Sequence, residues 1–95
     1  MDTRMLRFEW DPKKDWLNRL KHGIDFATAA EAFFDERRFV VFDEEHSHKE
    51  RRYFCIGKYQ GRVMTVRFTH RGDKVRILGA GYWREGRAMY EKENS

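Results

Sequence analysis

Five arginines fall on segments that read as β-strands: Arg52, Arg62, Arg67, Arg71 and Arg76. A guanidinium holds its charge at neutral pH and offers a planar fork of donors that matches a phosphate. Thirteen of the twenty basic residues in this 95-residue chain are arginine. Between Arg51 and Arg87, ten Lys/Arg are opposed by only two acidic residues, so a net charge of +4 conceals a strongly cationic half. Such a half suits either a solvated surface or an anionic polymer. Were that polymer an RNA to be cut without a metal, the site would need a base for the 2′-hydroxyl proton, cations at the crowded phosphoryl and an acid for the leaving 5′-oxygen. Arginine serves the second role well and the first poorly. Arg62 and Arg76 flank one hairpin, which predicts adjacent antiparallel strands with both side chains near one phosphate.

Proton-transfer candidates come from other segments. Lys21 and His22 close a basic helix, where Lys21 suits either a phosphate contact or, with a lowered pKa, a proton donor. Glu50 and His46 lie in the loop before the Arg52 strand, and His70 adjoins Arg71. Arg52, Arg67, Arg71 and Lys14 are candidate phosphate contacts, and Tyr82 a candidate stacking partner for a base. Trp10, Tyr53, Tyr59 and Trp83 offer further rings. Arg84, Arg87 and Tyr90 suit a protein partner instead. His46 and His48, with Glu44 and Glu45 nearby, carry metal-ligand types, but the spacing reads as an acidic loop. No metal or cofactor is expected.

These residues need elements to hold them. Phe8 to Trp10 reads as a short strand. Asp11 can cap a helix from Pro12 to His22, and Gly23 supplies its left-handed stop. Trp16, Leu17 and Leu20 make one apolar face of that helix, while Lys14, Asn18 and Lys21 make a separate basic face. Asp25 caps a second helix in which Phe26, Ala29, Ala30 and Phe33 recur at helical spacing, to about Phe34. Strand candidates follow at Phe39–Asp43, Arg52–Tyr59, Arg62–Thr69 and Val75–Ala80. Turns at Tyr59-Gln60-Gly61 and Arg71-Gly72-Asp73-Lys74 imply an antiparallel meander. A last helix begins near Trp83, with Trp83, Arg87 and Tyr90 on one side and Gly86 weakening it. The class is α+β: N-terminal helices, an antiparallel meander and a C-terminal helix, in one domain spanning residues 1–95.

The ordered residues resemble a known family. Trp10-Asp11, Lys14, Asn18, Lys21-His22-Gly23-Ile24 and Phe26 match the spacing W-D-x-x-K-x-x-x-N-x-x-K-H-G-I-x-F of the BrnT toxins. Arg52-Tyr53-Phe54-Cys55-Ile56-Gly57, Gly61-Arg62, Val66-Arg67-Phe68-Thr69-His70-Arg71 and Val75-Arg76-Ile77-Leu78 extend the likeness from about Phe8 to Tyr90. One departure stands out: Gly79-Ala80-Gly81 occupies the place where the family often ends a strand in S-A-R. The resemblance implies a RelE-like ribonuclease fold and an endoribonuclease that inhibits translation and growth. It also implies a BrnA-like ribbon-helix-helix antitoxin, with two toxins and two antitoxins per complex. A basic module that binds nucleic acid or antitoxin without cutting is the alternative, and the glycine at 81 favours it.

Cys55 has no internal partner, no apolar run approaches a membrane span of roughly 20 residues, and Met1 to Phe8 lacks the apolar core of a leader. A reducing cytoplasm is the expected compartment.

Overall fold

A computed structural model describes residues 6–95; the leader expectation falls largely on residues 1–5, outside the described part. The chain runs β1 (Phe8–Glu9), α1 (Pro12–His22), α2 (Phe26–Ala29) continuing as a 3₁₀ helix (Ala30–Phe34), β2 (Phe39–Phe42), β3 (Arg52–Tyr59), β4 (Arg62–Arg71), β5 (Lys74–Gly81) and α3 (Arg84–Glu93). The caps act as their sequence suggests. Asp11 accepts the Lys13 amide at 2.9 Å, Asp25 accepts the Thr28 amide at 2.8 Å, and Gly23 stops α1 at φ 73°.

The five strands lie in the order β1-β5-β4-β3-β2. Strands β2 to β5 form the expected antiparallel meander, whereas β1 pairs parallel with β5, which makes the sheet mixed. The β3–β4 turn takes positive φ at both central residues, Gln60 at 50° and Gly61 at 81°, the geometry whose twist matches a tight hairpin. A register shift between Arg67 and Phe68 pairs them with Gly79 and Ile77, leaving Leu78 as the extra residue of a bulge.

Side-chain alternation splits the sheet into two faces. Cys55, Met64, Val66, Phe68, Val75 and Ile77 pack with Phe26, Ala29, Ala32 and Phe33 in the main core. The alanines permit a close approach: a Cβ at Gly57 would collide with the Ala32 carbonyl. On the opposite face, Ile56, Val63 and Tyr90 form a smaller cluster under α3. Gly86, which intrinsic propensity disfavours, is explained there, because a Cβ at this position would overlap the Thr65 hydroxyl. Tyr90 and Gly86 are the buried residues of α3, and Arg87 is exposed, so the predicted Trp83/Arg87/Tyr90 side does not pack as one surface. Among the described residues no helix is long and apolar enough to cross a membrane.

Asp35, just after the 3₁₀ helix, fastens α3. Its carboxylate accepts the Tyr90 hydroxyl at 2.6 Å and the Lys58 amide at 2.6 Å. Burial pushes the Tyr90 phenol up to about 12, aided by the Asp35 bond. Burial acts to raise the Asp35 carboxyl too, but bonds from Tyr90, Lys58 and Arg37 outweigh it and hold the group below 3.8. The two signs define two pH limits. A raised phenol stabilises the fold fully below its unfolded value and loses that contribution as pH rises from 10 through about 12. A depressed carboxyl contributes above its unfolded value of 3.8 and is lost as pH falls below it. Tyr90→Phe should lower stability at neutral pH by about 1–2 kcal/mol and flatten the alkaline decline. Urea titrations across that range check this; an alkaline decline identical to the parent's would exclude the Tyr90 clasp as its source.

Candidate nucleic-acid groove

The expected focus on Arg62 and Arg76 does not form. The two residues do lie on adjacent antiparallel strands, but Arg76 pairs with Thr69 while Arg62 faces Tyr59 at the opposite end of β4. At about 3.3 Å per residue that separates them by roughly 20 Å, too far for one phosphate. Hairpin adjacency fixes which strands are neighbours, not which positions share a level. Arg62 lies 3.4 Å over the Tyr82 ring, beside a small pocket of ≈ 220 Å³ with Lys58, Arg87 and Glu91. Arg76 is ion-paired with Glu9 at 2.9 Å.

Other predicted residues also have occupations of their own. Glu50 bridges Arg52 at 3.3 Å and Arg71 at 3.4 Å, so it neutralises two candidate phosphate contacts. His46 is held through Nδ1 by the buried Asp43 carboxylate at 3.0 Å. His70 packs its ring against Tyr53 and Phe68. Lys14 is exposed on α1 and does not line the groove. Asn18 does not belong to the basic face: its amide donates to the Ile24 carbonyl at 2.8 Å and the Ala80 carbonyl at 3.1 Å.

The structure does bring Lys21, His22 and Arg67 together. They line one open groove of ≈ 860 Å³ on the sheet face that α3 only half covers. Phe54 and Ile56 from β3 and Thr65 and Arg67 from β4 make the floor; Trp83, Arg84 and Met89 make one wall, and the end of α1 the other. Alternation puts Thr65 and Arg67 on the same side of β4, and Asn18 fixes the end of α1 by also accepting the Ala80 amide at 3.2 Å. His22 stands edge-on to Trp83, with ring centres 5.5 Å apart.

Two polar atoms in this floor, Thr65 Oγ1 and Arg67 Nε, are buried without a hydrogen-bond partner. No carboxylate forms an ion pair with Arg67 among the described residues. Buried polar groups are normally satisfied, and a half-buried guanidinium without a counter-charge favours a bound anion. Thr65 was absent from the sequence-derived candidates; its polar hydroxyl two residues before Arg67, on one face of a central strand, was the available signal.

The Gly79-Ala80-Gly81 departure gains a local reason. A Cβ at Gly79 would come within 3.1 Å of Arg67 Nη2, and a side chain at Gly81 would overlap the Trp83 indole. The first glycine makes room for the floor cation, the second for the wall aromatic.

A search of curated proteins found no match. Residues 10–86 match the family described as the ribonuclease toxin, BrnT, of type II toxin–antitoxin systems. That span covers every residue of the groove except Met89. The chain therefore belongs to the BrnT family of ribonuclease toxins.

Proposed function

We propose that the chain is a metal-independent endoribonuclease whose groove beside α3 binds and cuts RNA, inhibiting translation and growth in the cytoplasm. The observation that carries this reading is Arg67, on the groove floor with an unpaired Nε and no carboxylate partner. In the proposed reaction, Arg67 and Arg84 grip the scissile phosphate, with Lys21 adding charge from α1. The 2′-oxygen forms a bond to phosphorus as the bond from phosphorus to the 5′-oxygen breaks. His22 takes the 2′-hydroxyl proton, and Lys21 or water returns one to the leaving oxygen. Trp83 and Phe54 give bases apolar surfaces to stack on, which costs little sequence preference. Arg62 and Tyr82 act in this scheme as outlying contacts away from the reacting phosphate, whereas Arg52, Arg71 and Arg76 are engaged by Glu50 and Glu9 and Lys14 stays on α1 outside the groove.

The antitoxin that the family implies is proposed to be a BrnA-like ribbon-helix-helix protein in a two-plus-two complex. The purified chain should cleave single-stranded RNA in excess EDTA. Its RNA affinity should fall steeply with salt, each lost phosphate contact lowering the log–log slope by about 0.7. Cleavage that EDTA abolishes would refute metal independence. Salt-dependent binding with no cleavage under any condition would instead favour the non-catalytic module.

A further inference from the structure

Helix α1 is docked with its apolar side outward. The positions turned toward the protein are polar: Asp15 accepts the Phe26 amide at 2.7 Å, and Asn18 bonds the backbone of Ile24 and Ala80. Trp16, Leu17 and Leu20 are instead 54%, 47% and 60% exposed, and no residue of α1 is buried. A helix on a folded domain ordinarily buries its apolar stripe, and a contiguous exposed one marks an interaction surface.

The surroundings specify the partner. At 100° per residue, Lys13 falls within the apolar stripe, Arg19 borders Trp16 on one side, and Lys14 and Lys21 border Leu17 on the other. The acids of the segment are unavailable to these cations, since Asp11 caps the helix and Asp15 is turned inward. The outer face is thus apolar at its centre, with Lys13 inside the stripe, Lys14 and Lys21 along one edge, and Arg19, which also faces Asp25, along the other. A second copy would oppose cations to cations. RNA would satisfy the charge but leave Leu17 and Leu20 against sugar and phosphate.

We propose that the outer face of α1 is the seat of an acidic amphipathic segment of the antitoxin. That segment would present apolar side chains at helical spacing, flanked by Asp and Glu, to Trp16, Leu17 and Leu20. The proposal takes from the toxin–antitoxin reading only that such a partner exists. The seat lies on the back of the helix whose end forms the groove wall and shares only Lys21 with it, so changes at Lys13, Trp16 and Leu20 separate binding there from cleavage in the groove.

The test uses the full-length antitoxin encoded with this toxin, titrated by calorimetry against the complete chain and its Leu20→Glu, Trp16→Ala and Lys13→Glu variants. All three positions are exposed, and thermal melts verify folding. Leu20→Glu should weaken the complex by roughly 100-fold, as loss of a central apolar anchor does. Lys13→Glu should weaken it more at low than at high salt. Leu20→Met should restore tight binding, and RNA cleavage should be unchanged throughout. Unchanged antitoxin affinity in Leu20→Glu and Trp16→Ala would overturn the proposal. So would variants that bind antitoxin normally but lose self-association or attachment to phosphatidylglycerol vesicles. A parent chain that cuts no RNA, yet loses antitoxin on Leu20→Glu, would overturn the ribonuclease reading and leave this seat standing.

Discussion

Arg67→Ala should lower RNA cleavage by about 100- to 1000-fold, the loss expected when one preorganised donor to a developing oxyanion is removed. The same change should leave the melting temperature nearly unaltered, because it deletes a half-buried cation that no carboxylate balances. Arg67→Lys should recover little, since an ammonium on a flexible stem cannot present two parallel donors to one phosphate. Single-turnover cleavage with matched melts gives both readings. Arg62→Ala and Arg76→Ala are the informative controls. One arginine is stacked on Tyr82 and the other paired with Glu9, some 20 Å apart by strand spacing, so neither should approach the Arg67 effect. Full activity in Arg67→Ala would move the reacting phosphate out of this groove.

Elements were more legible in the sequence than the relations between them. Asp11-Pro12 and Gly23 bracket α1 by backbone chemistry alone, and the two tight turns expose β3, β4 and β5 through their glycines. Local signals of this kind do not report which face of an element is buried. The Trp16/Leu17/Leu20 stripe is legible as an apolar face, but its outward direction is not, because it is set by two side-chain-to-backbone bonding groups, Asp15 and Asn18. The same limitation put Arg62 and Arg76 at one phosphate when their registers lie at opposite ends of β4. Five strand arginines are visible in the sequence, but Glu9 and Glu50, which neutralise three of them, come from a two-residue strand and a loop. Lys21, His22 and Arg67 were all on the candidate roster; what was missing was their shared wall and floor. Thr65 escaped because a threonine in a β-strand is ordinary until its hydroxyl is found buried and unpaired.

Asn18→Ala should be among the most damaging substitutions outside the main core. It would leave the Ala80 amide, the Ala80 carbonyl and the Ile24 carbonyl without their partner, in a region where Ala80 and Ile24 are buried. With about 1–3 kcal/mol for each unsatisfied buried group, a total near 3 kcal/mol allows for partial rehydration. In a domain of this size that lowers the melting temperature by more than about 10 °C. Asn18→Asp should do no better, because a carboxylate keeps the bond from the Ala80 amide but meets two carbonyl oxygens. Cleavage should fall at temperatures where the variant remains folded, since Lys21 and His22 then lose their fixed position. A melting shift within a degree or two of the parent would show that α1 is held by something other than this amide.

The Asn18 clasp also sets a timetable. Asn18 and Ala80 are separated by 62 positions, and Trp83 and Arg84 of the groove follow later still. As the chain leaves the ribosome, α1 emerges early with no seat, while the β3–β4 and β4–β5 hairpins can close between near neighbours in sequence. The wall that carries Lys21 and His22 docks only once β5 has been made, and the opposite wall only with α3. A nascent chain therefore has no complete groove until both β5 and α3 have emerged, however early its helix α1 is made.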